Sequence, residues 1–230
     1  MKFYQYTFFL IFSAIICALL IYFFNSDPKY LDLTQRNSIE IKKEYKIKGI
    51  DISHYQGKIN WKNIQEQGIR FVYMKATQGI NFQDKRFRYN WHETKKNKIP
   101  RGAYHFFDLC GKGISQAKNF IRTVPTDNSM LPPVVDLELF KNCINPPERK
   151  EFLKELQDFV DKLEIHYQKK PMLYVIWDVY EKYLTGEMKD YPLWISDPWE
   201  HTEPALPEKR DWILWQYTYT KRQKKLPTRF

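Results

Sequence analysis

Along this chain, short β-rich runs alternate with longer polar or amphipathic stretches. Strands are expected at Lys48–Ser53, Arg70–Ala76, Arg101–Phe107, Pro133–Leu139, Met172–Ile176, Leu193–Ser196 and Trp212–Tyr217. Helices are expected between them, at Trp61–Gln67, Phe87–Lys96, Ser115–Thr123 and Pro147–Tyr167. The last is the most strongly amphipathic, with Phe152, Leu156, Phe159, Val160 and Leu163 on one stripe, and Pro147 suits a first helical turn. Strand and helix in alternation predict an α/β fold of the β/α-barrel type, spanning residues 47–230.

The first 24 residues stand outside that pattern. Phe3 to Phe24 carries no charge, and the stretch from Phe8 is almost wholly apolar. About 20 such residues cross a bilayer's hydrocarbon core as one helix. Tyr4, Tyr6 and Tyr22 stand near the ends, where amphipathic rings favour the interface. A cleaved signal peptide is the rival reading, but the run ends in Tyr22, Phe23 and Phe24 rather than in small residues. We therefore expect one transmembrane helix at 1–24 and a polar stalk at 25–46. Lys2 precedes the run while Lys29, Arg36, Lys42 and Lys43 follow it, so charge does not set the orientation.

In a β/α barrel, chemistry collects where the strands end and their loops converge. The strand ends carry Asp51, Lys75, Tyr104, His105, Asp136, Glu138, Tyr174, Trp194 and Gln216, an acidic and aromatic set suited to a sugar cleft. Asp136 and Glu138 are two apart, so on a strand they face one side, about 6.5 Å apart along the chain at roughly 3.3 Å per residue. Cleavage of a glycosidic bond needs one carboxyl that keeps its proton near neutral pH and a second group that tolerates positive charge at the anomeric carbon. Mutual repulsion and burial can separate two carboxyls in that way. An Asp-x-Glu triplet alone is common on surfaces. Preceded by Pro132-Pro133-Val134-Val135, it belongs to a buried strand, and two inward acids require an explanation.

Composition narrows the partners. The chain has 37 Lys and Arg against 27 Asp and Glu, a net charge of +10, which favours an anionic partner: nucleic acid, an acidic membrane surface or a cell-wall polymer. No GxxxxGK, GxGxxG, CxxC or HExxH occurs, so nucleotide and zinc chemistry have no motif, and no cofactor or metal is expected. No nucleic-acid-binding motif accompanies the charge. Cys17 lies in the apolar run, leaving Cys110 and Cys143 as either one disulfide in an exported domain or two free thiols.

GIDISHYQGKINW, FVYMKATQG, GAYHFF, QAKNF, LPPVVDLEL, PMLYV, LWIS and WILWQY resemble, in order, the motifs of glycoside hydrolase family 25, lysozymes of the Chalaropsis type. The resemblance implies an irregular TIM-like barrel and cleavage of the β-1,4 bond between N-acetylmuramic acid and N-acetylglucosamine in peptidoglycan. By position it makes Glu138 the general acid. Asp136 becomes the carboxylate steadying the substrate's own acetamido group, and Asp51 the first acidic site residue. Lys75, Gln78, Tyr104, Tyr174, Trp194 and Gln216 fall at cleft-lining positions. Two departures stand out. The family usually reads KATEG where this chain has Lys75-Ala76-Thr77-Gln78-Gly79, and an amide cannot act as acid or base. The family also continues past WQY to an Asp-x-Asn element, which this sequence lacks before Phe230.

The function expected is therefore a muramidase, anchored in a membrane and facing peptidoglycan on the extracytoplasmic side. Its alternative is a lysozyme-like module that binds glycan without cutting it. His54 and His105 are expected to be structural donors, and most tryptophans, Trp194 excepted, to serve the core. Lys221–Lys225 is expected to be a solvated tail.

Overall fold

In the computed structural model, which describes residues 45, 47–139, 143, 145–198 and 203–218, eight strands form one sheet. They are β1 (Lys48–Ile52), β2 (Ile69–Gln78), β3 (Phe82–Gln83), β4 (Arg101–Phe106), β5 (Val134–Leu137), β6 (Met172–Ile176), β7 (Leu193–Ser196) and β8 (Leu214–Gln216). Their order is β1-β2-β4-β5-β6-β7-β8, every neighbouring pair parallel, with β3 added antiparallel to the end of β2. Among the described residues no backbone pairing joins β8 to β1. The α/β, parallel-strand expectation holds in this form, as an open and irregular sheet. The apolar run at 1–24 and nearly all of the stalk lie outside the described residues, as do Cys17, Trp199 and the tail from 219. Among the described residues no helix is long and apolar enough to cross a membrane.

Three helices cover the outer face: α1 (Phe87–Lys96), α2 (Gly113–Thr123) and α3 (Arg149–Tyr167). Where a fuller barrel would place more, this chain has short turns: His54–Gln56, Trp61–Asn63, a helical stretch at Trp177–Leu184, and Pro207–Lys209. The helix expected at Trp61–Gln67 is only the 3₁₀ turn Trp61–Asn63, capped by the Asn60 side chain and cut short before Gly68, whose φ is +80°. Pro147 stands two residues before α3 rather than inside it, and its carbonyl accepts a hydrogen bond from the Tyr183 hydroxyl at 3.2 Å.

Period-two alternation builds two cores. Outward residues Val72, Met74, Ala103, Val135, Leu137, Leu173, Val175 and Ile195 pack on the α3 stripe of Phe152, Leu156, Phe159, Val160 and Leu163. Inward residues Tyr73, Val134, Met172, Tyr174 and Trp194, with Phe71, Tyr104, Leu131 and Leu214, fill the concave side. Gly113 opens α2 against α3 so closely that a Cβ there would lie 1.8 Å from the Glu155 carbonyl oxygen. Glu155 returns the contact, accepting the Gly113 N–H at 2.8 Å and Lys112 Nζ at 2.8 Å. Cys110 and Cys143 form a disulfide, their Cα atoms 5.6 Å apart, tying the loop after β4 to the loop after β5. Of the two readings left open for these cysteines, the structure takes the first.

Candidate active site

The concave core ends, at the carboxyl side of the strands, in a cluster of acids. Asp51 is the penultimate residue of β1, Asp136 stands on β5, and Glu138 directly follows β5. Lateral register aligns their neighbours: Gln78 pairs with Phe106, Phe106 with Asp136, Asp136 with Tyr174, and Tyr174 with Trp194. One belt across five strands thus carries Gln78, Asp136, Tyr174 and Trp194, four of the nine residues expected at the cleft.

Asp136 is 7% exposed, and its Oδ1 is buried with no hydrogen-bond partner among the described residues. Burial first, and Glu138 second, push its carboxyl well above the ordinary range, against the pull of Lys75. Burial also raises Glu138, while a hydrogen bond from Tyr174 and the Lys75 charge hold it down. Asp51 is raised by burial and partly restored by hydrogen bonds from its own backbone and from Gln216. Burial thus favours the protonated form at all three acids, and each ionised acidic neighbour adds to that at Asp136 and Glu138.

Gln216 organises the far side. Its Oε1 accepts from the Tyr174 hydroxyl at 2.5 Å and from Ser196 Oγ at 3.0 Å, and its Nε2 donates to Asp51 Oδ1 at 2.9 Å. Tyr174 has one proton for two acceptors, Gln216 and Glu138, so it donates fully to Gln216 only when Glu138 is protonated. Trp194, 7% exposed, packs edge-on against Tyr174 with ring centroids 5.0 Å apart. Tyr104 is half-buried, and burial followed by Asp51, Asp136 and Glu138 raises its hydroxyl well above the usual tyrosine range, which keeps it a neutral donor.

Lys75 supplies the cluster's buried cation. Its Nζ donates to Gln78 Oε1 at 2.7 Å and lies over the rings of Phe106 and Phe82, 4.5 and 5.7 Å from their centroids. Burial lowers its pKa, and Asp136, Asp84 and Glu138 oppose that. Lys75 and Gln78 share a face although three residues apart because the β2–β4 register shifts between Lys75 and Thr77.

Asp84, which no motif or periodicity marks, also borders this region. Its side chain is 1% exposed and accepts from the backbone and the Nδ1 of His54 at 2.9 and 2.7 Å and from the Arg86 backbone at 2.9 Å. It clamps the turn after β1 to the segment after β3. His105 is fully buried on the outer side. Gln116 gives its Nε2 to Asp108 and Gly111 carbonyls, so its Oε1 faces His105 Nε2 as acceptor at 3.0 Å. His105 therefore carries its proton on Nε2 and accepts from Thr77 Oγ1 at 2.6 Å. Burial pushes its pKa down to about 3, leaving it neutral. A larger cavity of about 440 Å³, lined by Phe87, Arg88 and Trp91 of α1 and by Arg122 and His166, lies on the outer helices and contains none of the acids. Among the described residues no group of three His, Cys, Asp or Glu side chains is placed to hold a metal.

With this geometry in view, the family model described as Glycosyl hydrolases family 25 matches residues 50–226. The chain belongs to glycosyl hydrolase family 25. A family 25 glycosyl hydrolase from Bacillus anthracis superposes with a TM-score of 0.73 at 41% identity, over 76% of this chain and 81% of that one. The uncharacterised protein YegX of Escherichia coli K12 is 31% identical over 188 residues, 79% of this chain and 66% of YegX. Lysozyme M1 of Streptomyces globisporus is 30% identical over 191 residues, 76% of this chain and 63% of its own length. The chain thus spans somewhat under two thirds of the length of both sequence relatives.

Proposed function

We propose that this chain is a muramidase that hydrolyses the β-1,4 bond between N-acetylmuramic acid and N-acetylglucosamine of peptidoglycan. The observation that carries the reading is the inward carboxyl pair, Asp136 and Glu138, both held toward the protonated form, with one Asp136 oxygen buried and open. Family 25 membership and the lysozyme among the relatives support it.

In the free protein, deep burial disfavours an ionised Asp136. An acetamido N–H donated to the open Oδ1 compensates an ionised Asp136, and the proton then resides on Glu138. Glu138 gives that proton to the glycosidic oxygen as the bond from C1 breaks. The acetamido carbonyl oxygen attacks C1, forming a cyclic oxazolinium ion whose N–H is held by the Asp136 carboxylate. Water then attacks C1, its proton passes to Glu138, and the ring reopens. Lys75 balances the acids' charge, while Asp51, through Gln216, fixes Tyr174 against Glu138.

Incubating the purified full-length protein with peptidoglycan and identifying the new reducing ends by mass spectrometry tests the reading. Muramic acid ends are expected. Glucosamine ends would assign a different hydrolase, and tight binding without release would assign a glycan-binding module.

The uncharged run to Phe24 anchors this domain, in our reading, on the extracytoplasmic side, with residues 25–46 as the tether. The Cys110–Cys143 disulfide supports an oxidising compartment. Amino-terminal sequencing of protein from the membrane fraction should begin at residue 1 or 2. A mature start between about residues 18 and 30 would identify a cleaved signal instead.

A further inference from the structure

Lys75 is a cation set deep in the molecule without a counter-ion of its own. It is 8% exposed and forms no ion pair among the described residues. Its Nζ donates to the neutral amide oxygen of Gln78 at 2.7 Å and otherwise lies over the rings of Phe106 and Phe82. An ammonium that has left water for such surroundings is destabilised unless negative charge answers it. Lys75 starts level with Tyr104, its lateral neighbour on β4, but its Nζ reaches the ring of Phe106, 4.5 Å away. Phe106 has Gln78 as its lateral neighbour on one side and Asp136 on the other. The charge is thus carried up to the level of the carboxyl pair. The acids that act on it are Asp136, Asp84 and Glu138. Asp84 is already engaged by the His54 ring at 2.7 Å and by the backbone N–H groups of His54 and Arg86. That leaves Asp136 and Glu138 as the groups this ammonium serves.

The side chain at position 78 decides how much of that charge they receive. An amide oxygen holds the ammonium in place and leaves its charge whole. A carboxylate would hold it too, but would pair with it and screen it from the acids. A hydrocarbon side chain would leave it without an acceptor. We infer that Gln78 is a positioning residue for the reaction, a neutral anchor that fixes Lys75 beside Asp136 and Glu138 with its charge undivided. The inference rests on the muramidase reading above, in which Asp136 must be negative when the acetamido group attacks C1. A whole cation nearby favours that form. The other groups facing the pair do not replace it: Asp51 on β1 opposes ionisation, Tyr104 on β4 stays neutral, and Tyr174 on β6 helps Glu138 through one hydrogen bond. Among the described residues Lys75 is the one cation acting on both acids.

Release of muramic acid ends by the full-length protein, measured across pH at limiting substrate, tests it. In Gln78→Glu the new carboxylate pairs with Lys75, and in Lys75→Met the cation is gone. Either way both acids keep their protons to higher pH, so the whole pH profile should move upward by about one unit, the scale of one nearby charge. Gln78→Met removes the anchor without adding a charge and should move the profile by less than roughly half of that. In the double variant of Lys75→Met with Gln78→Glu, the shift should fall well short of the sum, because the carboxylate has no cation left to neutralise. Gln78 is partly exposed, so its two variants decide the matter even where circular dichroism shows that Lys75→Met fails to fold. A Gln78→Glu profile at the wild-type position, or a folded Lys75→Met protein with that profile, would overturn the inference and leave the muramidase reading standing. So would a Gln78→Met shift as large as that of Gln78→Glu, or additive shifts in the double variant. No muramic acid ends from the wild type at any pH would remove both readings.

Discussion

Glu138→Gln should lower peptidoglycan cleavage by roughly 10² or more and leave glycan binding in place. The amide keeps the shape and the hydrogen bond from Tyr174, and loses only the transferable proton. The pH dependence should change with it. Because burial raises the Glu138 pKa, the wild type keeps its acid form to higher pH than an ordinary carboxyl, and rate is lost on the alkaline side as that proton leaves. In Glu138→Gln this alkaline limb should disappear from the residual activity. Asp136→Asn should also cut turnover strongly, since the oxazolinium N–H loses its anionic partner, and the double variant should fall short of the product of the two defects. Initial rates across pH, with binding of intact glycan measured beside them, decide the matter. A folded Glu138→Gln protein with the wild-type rate would remove Glu138 from the mechanism.

Gly113→Ala should cost about 3 kcal/mol of stability, at the upper end for overpacking, or roughly 10 °C in Tm for a domain of this size. The added Cβ would meet the Glu155 backbone at 1.8 Å to O and 2.8 Å to C, and Phe159 N at 3.2 Å. Backbone inside a helix cannot swing aside as a side chain can, so α2 must move off α3. The same shift lengthens the bond from Gly113 N–H to Glu155, which caps α2 where its own Lys112 offers no side-chain cap. Thermal unfolding followed by far-ultraviolet circular dichroism reads the loss. A change under about 1 kcal/mol would mean that the two helices are not held at this separation.

The strands and the three longer helices were legible because their patterns are regular: inward Tyr73, Asp136 and Tyr174 alternate with outward neighbours, and the α3 stripe repeats at helical spacing. Asp136 and Glu138 stood out because two acids interrupt an apolar strand. The Lys75–Gln78 contact was not legible, since a strict period of two sends positions three apart to opposite faces, and only the register shift beside Ala76 brings them together. Nor was Asp84, in a polar stretch without periodicity, whose partner His54 lies 30 residues away. Gln216 was found through its motif, but its double role, accepting from two hydroxyls while donating to Asp51, depends on strands far apart in sequence. The failed Trp61–Gln67 helix shows the reverse error: the stretch is too short to outlast its Asn60 cap and Gly68.

Among the described residues, the first and last strands of the sheet meet through side chains, Gln216 to Asp51, rather than through a backbone ladder. Catalytic machinery elsewhere is commonly a burden that the scaffold carries. Here two polar residues proposed for the cleft also act as a rivet between the first and last described strands, so a substitution at Asp51 or Gln216 is expected to alter architecture together with any chemistry they serve. Selection acting on either property at this seam is bound to move the other.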